Sequence, residues 1–322
     1  MSGEALNIGL IGAGAIGWPQ ARPLGEKVTT HADAVFLEPD CHLTAVVEPD
    51  TDNAIWNNSY GIPVYKGLND ALDSENFDAF IVATPTSTRP EILETLLSCN
   101  IGGVVAEKPI SCSGKQSVEL VNRYRQESIP FWVNLSRRYV SVYSELARNF
   151  RSNEEVISAR ISYAKGIKHN GIHALDLAMM LFGNLHHWQV LGKRFDYAND
   201  DPTLSLFAQL EYCPQLFLQG LDHRLVTHFE VDIWTTAGRY VIDQDHTRLR
   251  RYEYSPRHNQ DENKLSIVET STIAHNESFS NLLRDLKDVL TYGGDPRVLP
   301  EEVAKVEILI DEIMSTSGAN NC

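Results

Sequence analysis

Apolar and polar positions follow two different rhythms along the chain, and the change between them falls near residue 134. In the first part, short runs of apolar residues alternate with segments of helical spacing, which is typical of buried parallel strands joined by helices. The predicted strands lie at 8–11, 43–47, 77–83, 103–106 and 131–135, and the predicted helices lie at 31–37, 90–99 and 113–126. The pattern therefore predicts an α/β domain over residues 1–133.

From residue 134 onward, apolar and polar residues mostly alternate, as in antiparallel strands with one buried face. The alternating runs occupy 157–163, 204–212, 216–221, 229–234, 240–243 and 248–254, and a helix at 171–182 interrupts them. Residues 255–263 are expected to form an exposed loop, and helices at 278–290 and 300–315 close the chain. The second part is thus predicted as an α+β domain, residues 134–322, with an open, mainly antiparallel sheet.

The first apolar run ends in a glycine-rich sequence, Gly12-x-Gly14-x-x-Gly17. In a Rossmann dinucleotide-binding loop, the first glycine permits a tight turn and the second lets the backbone approach a diphosphate. The third glycine lets the following helix pack against the strand, so that its first N–H groups face the phosphates. We therefore predict cofactor contacts at Gly12, Gly14, Ala15 and Ile16. The alternative is a purely structural glycine turn.

The second predicted strand ends in Glu48, where an acidic residue accepts hydrogen bonds from the ribose hydroxyls of an adenosine. It would repel a 2′-phosphate by about 4 kcal/mol, for charges about 4 Å apart at an effective dielectric of about 20, which favours NAD over NADP. Pro19, Pro23 and Gly25 interrupt the expected first helix, so an excursion over residues 18–30 separates the glycine loop from that helix. The alternative for Glu48 is an incidental carboxylate in a turn.

Composition and charge argue against several classes of protein. The chain has 322 residues, of which 43% are hydrophobic and 22% charged, which is enough for two domains with cores. It has no run of eighteen apolar residues and no basic N-terminal start, which argues against membrane spans and secretion. Five scattered cysteines predict reduced thiols and a cytoplasmic location. A net charge of −15 argues against nucleic acid as a partner.

Four motifs follow one another in a fixed order. They are Gly-Ala-Gly-Ala-Ile-Gly at 12–17, Ala-Thr-Pro-Thr at 83–86, Glu-Lys-Pro at 107–109, and Gly-Ile-His-Ala-Leu-Asp-Leu at 171–177 with Leu-Phe-Gly at 181–183. Together they resemble the family of glucose–fructose oxidoreductase, inositol dehydrogenase and MocA-type dehydrogenases. This resemblance implies a Rossmann domain, a second domain for substrate binding and oligomerisation, and NAD(P)-dependent oxidation of a hydroxyl on a sugar or sugar derivative. A homodimer or homotetramer is expected.

By position, Lys108 and His173 match the active-site lysine and histidine of that family. The chemistry agrees, because the cofactor takes the hydride while the protein must accept the hydroxyl proton. An imidazole exchanges a proton near neutral pH, and an ammonium group stabilises a developing alkoxide. The alternatives are a solvated Lys108 paired with Glu107 and a core His173 bonded to the backbone.

Further contacts follow from the rule that ligands of open α/β sheets lie outside the carboxyl ends of the strands. The cofactor contacts predicted beyond the first two strands are Thr84, Pro85, Glu107 and Lys108. The predicted substrate contacts rest on other grounds and are Lys108, Arg138, Tyr163, His169 and His173. Arg138 could bind a carboxylate or phosphate of the substrate, or be a surface arginine at a helix start, and Tyr163 is included for its proximity in sequence.

On the helix at 171–182, the spacing predicts that His169, His173 and Asp176 share one stripe that lines a cleft. The opposite stripe is predicted to be core and consists of Ile172, Leu175, Met179 and Phe182. Sugar dehydrogenases of the family carry an aspartate at the position of His169, so the group that orients the proton on His173 differs in this chain. The two histidines and Asp176 have the spacing of zinc ligands, but no glutamate follows His169 as in zinc proteases, and the family needs no metal. No metal site is predicted.

Two other functions stay open on these residues. One is a lyase or glycosidase that uses bound NAD for a transient redox step, as some relatives in the family do. The other is a non-catalytic, NAD-binding regulatory protein that has lost the carboxylate at position 169.

Overall fold

The computed structural model describes residues 5–20, 22–50, 60–243, 247–256 and 263–317. The strands are β1 Leu6–Ile11, β2 Cys41–Val47, β3 Val64–Tyr65, β4 Ala79–Val82, β5 Gly103–Glu107, β6 Phe131–Asn134, β7 Val156–Tyr163, β8 Leu185–Ala198, β9 Asp201–Leu210, β10 Cys213–Gly220, β11 Phe229–Thr235, β12 Gly238–Asp243, β13 Arg248–Pro256 and β14 Asn263–Thr272. The α-helices are α1 His31–Leu37, α2 Leu68–Ser74, α3 Arg89–Leu96, α4 Gly114–Gln126, α5 Ser141–Ser152, α6 Ile172–Phe182, α7 Glu277–Tyr292 and α8 Pro300–Thr316.

The chain forms two compact units, each with its own core. The first unit consists of Met1–Tyr139 and Asn276–Lys305, and the second of Val140–His275 and Val306–Cys322. The predicted division at residues 133 and 134 differs from this one in two ways. The first unit extends to Tyr139, which is fully buried in its core, and it includes α7, whose Leu282 and Leu286 pack into the same core.

The first unit contains a six-stranded sheet in the order β3-β2-β1-β4-β5-β6. Every pair of neighbouring strands is parallel. The central strands are buried along their whole length: all four residues of β4 and all five of β5 are buried, and all of them are apolar except Glu107 at the end of β5. This is the composition expected of strands with helices on both faces, and it confirms the predicted α/β domain.

The excursion after the glycine loop interrupts a helix, and the hydrogen bonds of that helix continue after it. The N–H groups of Gly17 and Trp18 both bond to the carbonyl of Gly14, which forms a first turn. The N–H of His31 then bonds to the carbonyl of Ile16 at 3.0 Å, so α1 continues directly from that turn. The described residues 19–20 and 22–29 therefore lie outside the helix, between its first turn and α1. Helix α1 spans the seven residues that were predicted.

A capping box starts α1. The side chain of Thr30 accepts a hydrogen bond from the N–H of Asp33, and the Asp33 carboxylate accepts one from the N–H of Thr30. Asp33 is fully buried, and its carboxylate also binds the Arg22 guanidinium and the N–H groups of Gly25 and Thr29. One carboxylate therefore caps the helix and fixes the path of the excursion.

The second unit is built on an eight-stranded sheet in the order β14-β13-β12-β11-β7-β10-β9-β8. Its neighbours are antiparallel except β7 and β10, which run parallel, so the predicted mainly antiparallel sheet is confirmed. Leu175 and Phe182 of α6 and Phe150 of α5 pack in the core of this unit. Except for its ends in β13 and β14, the predicted loop at 255–263 lies outside the described residues.

Within the described ranges, no helix is both long enough and apolar enough to cross a membrane. The four cysteines that can be described, Cys41, Cys99, Cys112 and Cys213, are free thiols.

Candidate functional site

Polar and glycine residues follow neighbouring strands of the first sheet at the edge where those strands end, which we call the carboxyl edge. In the spatial order of the strands they are Glu48 after β2, Gly12–Gly17 after β1, Thr84 and Pro85 after β4, Glu107 and Lys108 at the end of β5, and Asn134 at the end of β6. Parallel strands bring these positions side by side, which is where open α/β sheets bind ligands. The structure therefore gathers all the predicted cofactor positions along one edge.

The three glycines of the loop have different reasons to be glycine. Gly12 has a φ of +92°, and a Cβ there would lie 2.9 Å from the Ala83 carbonyl oxygen. A Cβ on Gly17 would lie 2.2 Å from the Gly12 carbonyl oxygen, so only glycine fits between the two turns. A Cβ on Gly14 would meet nothing within 4 Å. Packing within the described protein therefore does not require glycine at position 14, and the open space there suits a diphosphate approaching the backbone.

Glu48 lies directly against this loop. One carboxylate oxygen accepts the N–H of Ala13 at 2.9 Å, and the other accepts the N–H of Asp50 at 3.1 Å. Each carboxylate oxygen has two lone pairs, so these bonds leave acceptor capacity for ribose hydroxyls. The half-buried Glu48 thus borders the open space at Gly14 with a negative charge, as its predicted role requires.

Arg89 ties two parts of the carboxyl edge together. Its guanidinium is buried and donates to the carbonyl of Thr84, after β4, and to the carbonyl of Pro109, after β5. The neighbouring Thr84 hydroxyl is buried, and no partner for its oxygen occurs in the described part of the chain. An orphaned hydroxyl beside the glycine loop is consistent with a ligand contact, because buried polar groups are normally satisfied.

Lys108 is half-buried and follows a carboxylate that is almost completely buried, Glu107, at 6% exposure. One Glu107 oxygen lies 2.9 Å from His31 Nε2 and 2.6 Å from Asn134 Nδ2. The other oxygen accepts the backbone N–H of Lys108 at 3.3 Å. Three strand or helix ends therefore meet at one carboxylate next to the predicted catalytic lysine.

The balance of forces on Glu107 favours its charged form. Burial by itself raises the pKa of this carboxyl, but the hydrogen bond and charge of His31, the Asn134 amide and the Lys108 ammonium act the other way. The net result is a pKa below its ordinary value of 4.5. Glu107 is therefore a buried anion at neutral pH.

In the second unit, His173 is the second residue of α6 and is half-buried. A π-helical turn, Gly166–Gly171, leads into this helix and carries His169. Asp201 fixes the turn: its oxygens accept the N–H groups of Lys168 at 2.7 Å and His169 at 2.9 Å. A Cβ on Gly166 would lie 2.2 Å from the Asp201 carboxylate, so only glycine admits this side chain.

His169 is exposed and contacts an aromatic residue that sequence reasoning missed. The hydroxyl of Tyr197 lies 3.3 Å from His169 Nδ1, and the two ring centroids are 4.9 Å apart. His223 meets the edge of the Tyr197 ring at 5.7 Å, and Lys165 Nζ lies 5.4 Å from its centroid. Tyr197 belongs to β8, a strand with no clear alternation, so the sequence held no local signal for this group.

Three other predicted residues have surroundings that the sequence did not indicate. Tyr163 is fully buried, and its hydroxyl donates to the Leu204 carbonyl and accepts the Leu204 N–H, so it belongs to the core. Asp176 is 1% exposed, so it is buried and does not share an exposed stripe with His169. Arg138 forms an ion pair with Glu302 of α8. In the described ranges, no three His, Cys, Asp or Glu side chains form a group that could hold a metal ion.

Comparison with known proteins supports the resemblance found in the sequence. Residues 6–135 match the family model GFO_IDH_MocA, described as an oxidoreductase family with an NAD-binding Rossmann fold. The match covers β1 to β6, from the glycine loop to the Glu-Lys-Pro motif, and confirms the predicted NAD-binding Rossmann domain. It supports the predicted family and enzyme class.

Individual relatives are distant. An inositol 2-dehydrogenase of Corynebacterium glutamicum (strain R) is 23% identical over 154 residues, which is 47% of this chain and 42% of that protein. The match thus spans less than half of that relative's length. A levoglucosan dehydrogenase in complex with NADH and levoglucosan has a TM-score of 0.79, with 14% identity and 98% of each chain covered.

An oxidoreductase of Agrobacterium radiobacter in complex with NAD+, L-tartaric acid and magnesium has a TM-score of 0.74 and 16% identity, and the likeness covers 98% of this chain and 97% of that one. At these identities the two solved structures show a common fold. They confirm the predicted combination of a Rossmann domain with a second, mainly antiparallel domain.

Proposed function

We propose that this protein is an NAD-dependent dehydrogenase that oxidises a hydroxyl of a sugar or sugar derivative, or reduces the corresponding ketone. The observation that carries the proposal is the position of Lys108 on the carboxyl edge. It follows β5, two strands from the glycine loop after β1, with Thr84 and Pro85 after the strand between them. The similarity to an inositol dehydrogenase and a levoglucosan dehydrogenase supports the substrate class.

The residues of the first unit fit an NAD cofactor. The open space at Gly14 would admit the diphosphate, Glu48 would bind the adenosine ribose, and the Thr84 hydroxyl has no partner in the described chain. When bound, NAD would supply the hydride acceptor. The protein's own task is then to hold the hydroxyl and to move its proton.

Two side chains are assigned to that task. The Lys108 ammonium stabilises the negative charge that develops on the substrate oxygen, and its three N–H donors can also orient the hydroxyl. His173 accepts the hydroxyl proton as a general base, because an imidazole exchanges protons near neutral pH. His169 takes the place of the family's aspartate and contacts the substrate next to His173. The Tyr197 hydroxyl fixes its ring.

A pair of lysine variants tests the central role. We expect Lys108→Met to lower kcat/KM by on the order of 10²–10⁴-fold with an unchanged circular dichroism spectrum. Lys115→Met is the matched control, because the Lys115 side chain on α4 is 89% exposed and is not one of the predicted site residues. Turnover of Lys108→Met at the wild-type level would refute the assignment.

Cofactor choice has its own test. Calorimetric titration of the wild type should show tighter binding of NAD than of NADP, because Glu48 repels a 2′-phosphate. Glu48→Gln keeps the shape of the side chain and removes its charge, so it should narrow the difference between the two cofactors. Equal affinities in the wild type would contradict the role of Glu48.

The reaction class is tested by following NADH absorbance with levoglucosan, myo-inositol and L-sorbose as substrates or products. Net reduction of NAD supports a dehydrogenase. Substrate cleavage without net reduction would favour the lyase or glycosidase, and tight NAD binding without any turnover would favour the regulatory protein. Sedimentation of the full chain is expected to show a homodimer or homotetramer, which the open sheet of the second domain favours.

A further inference from the structure

Three buried polar side chains meet directly behind Lys108. They are His31 at the start of α1, Glu107 at the end of β5 and Asn134 at the end of β6, with exposures of 2%, 6% and 4%. They are 27 to 103 residues apart along the chain. Polar groups are rarely buried this deeply without a specific arrangement of partners.

The geometry centres on the Glu107 carboxylate. His31 Nε2 lies 2.9 Å and Asn134 Nδ2 2.6 Å from the same Glu107 oxygen, while the other oxygen accepts the Lys108 N–H. The His31 ring also forms a T-shaped contact with Phe279 from α7, at 5.0 Å between centroids. The imidazole therefore contacts both an aromatic ring and the carboxylate.

The charges around this carboxylate can be named element by element. His31 faces it from α1, the neutral Asn134 from β6 and Lys108 from its own segment. The apolar Phe279 backs His31 from α7, and the Arg89 guanidinium of α3 binds the next carbonyls along the chain, those of Thr84 and Pro109. A buried carboxylate needs such donors to stay charged.

His31 also connects this group to the glycine loop. Its own backbone N–H bonds to the Ile16 carbonyl at 3.0 Å, and its side chain reaches Glu107 beside Lys108. One residue therefore joins the loop predicted to hold the diphosphate to the segment predicted to hold the reacting oxygen.

We propose that His31 and Asn134 are positioning residues that hold Glu107 as a buried carboxylate beside Lys108 and so fix the ammonium group at the carboxyl edge. The proposal rests on the proposed function in one respect, the catalytic role of Lys108. Stability alone does not account for this group of residues, because apolar residues of similar volume usually stabilise a fold as well as a buried ion pair does. The position of the group at the carboxyl edge does account for it.

The first experiment needs no activity. In protein labelled with ¹³C at the glutamate carboxyls, the Glu107 signal, assigned with Glu107→Gln, is titrated in the wild type, His31→Leu, His31→Gln and Asn134→Leu. We expect His31→Leu and Asn134→Leu each to raise the midpoint by about one pH unit or more, because burial is then less well compensated. His31→Gln retains an N–H donor and should stay closer to the wild type.

The second experiment links the carboxylate to Lys108. Full-length protein is labelled with acetic anhydride at pH 7, and acetylation of Lys108 is compared with that of the exposed Lys115 by peptide mass spectrometry. Glu107→Gln, His31→Leu and Asn134→Leu should each raise the relative rate at Lys108 several-fold, on the scale of a lost neighbouring charge. Tyr124→Phe is the matched control, because it removes a buried hydrogen bond to the Leu93 carbonyl in the same unit. It should change neither readout.

The outcomes separate the two proposals. Unchanged Glu107 titration in both His31→Leu and Asn134→Leu, or unchanged Lys108 labelling in Glu107→Gln, would overturn the positioning role whether or not the enzyme turns over. Absence of wild-type turnover on every sugar would refute the proposed function alone.

Discussion

Replacing the buried Asp33 by asparagine should be one of the most damaging single changes outside the carboxyl edge. Asp33 is fully buried and its oxygens accept the N–H groups of Gly25 at 3.0 Å, Thr29 at 3.2 Å and Thr30 at 3.0 Å. It also accepts the Thr30 hydroxyl at 2.6 Å and both terminal nitrogens of Arg22. In Asp33→Asn, one acceptor oxygen becomes an NH2 group that faces donors, and Arg22 loses its counter-charge.

The magnitude follows from two losses. Breaking a buried ion pair on one side costs about 3–5 kcal/mol, and the loss of a helix cap costs about 0.5–2 kcal/mol. The two losses share Asp33 and are not additive, so we expect the free energy of unfolding at pH 7 to fall by about 3–5 kcal/mol.

The loss in free energy of unfolding caused by Asp33→Asn should depend on pH. Burial raises the pKa of the Asp33 carboxyl, but the Arg22 and Thr30 hydrogen bonds outweigh it, and the pKa lies below its ordinary value of 3.8. A lowered pKa means that the stabilisation is fully present above pH 3.8 and disappears as the pH falls through the lowered value. Wild type and Asp33→Asn should therefore converge in stability at acid pH.

Urea unfolding followed by tryptophan fluorescence and circular dichroism, from pH 7 down to the acid limit of folding, measures both effects. The exposed Asp73 of α2 supplies the control, because Asp73→Asn should change stability by no more than about 0.5 kcal/mol. A loss below about 1 kcal/mol for Asp33→Asn at pH 7, or a loss that does not vary with pH, would show that the carboxylate does not organise the excursion.

Three further substitutions have clear expected outcomes. Gly17→Ala should destabilise the fold in thermal unfolding, because its Cβ would lie 2.2 Å from the Gly12 carbonyl oxygen. Gly14→Ala should leave the melting temperature unchanged but weaken NAD binding in calorimetry, because its Cβ enters the open space where the diphosphate is expected. Equal losses of stability in Gly17→Ala and Gly14→Ala would contradict this distinction between the two glycines. Tyr197→Phe removes the hydroxyl that holds His169. We expect this variant to raise KM for sugar, and to lower the free energy of unfolding by about 1 kcal/mol or less.

Local sequence patterns predicted most of the first domain. The glycine loop, the strands that follow one another along the sheet and the helix at 31–37 all depend on neighbours within a few residues, so their signals are contained in short windows. Gly12 and Gly17 are cases in which one turn geometry demands one residue type, and such requirements are readable from sequence. Glu48 was also predictable from a short stretch of sequence, since it stands at the end of a strand next to that loop.

Most of the elements that were missed lack such local signals. Strand β8 is an edge strand in which most side chains are exposed, and β14 is likewise mostly exposed, so neither shows a clean alternation. Strand β3 has two residues, too few for a pattern. Helix α5 does carry apolar residues at helical spacing, Tyr143, Leu146 and Phe150, and was a readable element left unassigned.

In the candidate site, the sequence predicted which residues lie at the ends of the strands, but not which side chains contact one another there. Glu107 was predicted as a cofactor contact or as the partner of a solvated Lys108, and its bonds to His31 and Asn134 cross 76 and 27 residues of chain. Tyr163 was expected near the substrate because it is close in sequence to the motif at 171–177. Its place in the core follows from its pairing with Leu204 of β9, a contact 41 residues away.

The return of α7 to the first unit has a practical consequence for anyone who wishes to isolate the nucleotide-binding half. A fragment ending at residue 139 would lack Phe279 against His31 and would leave the Trp132 indole without the Asp285 carboxylate that it binds at 2.9 Å. An expressible version must splice Asn276–Lys305 back onto the N-terminal segment. Recombination between relatives must likewise exchange two stretches of gene together rather than one.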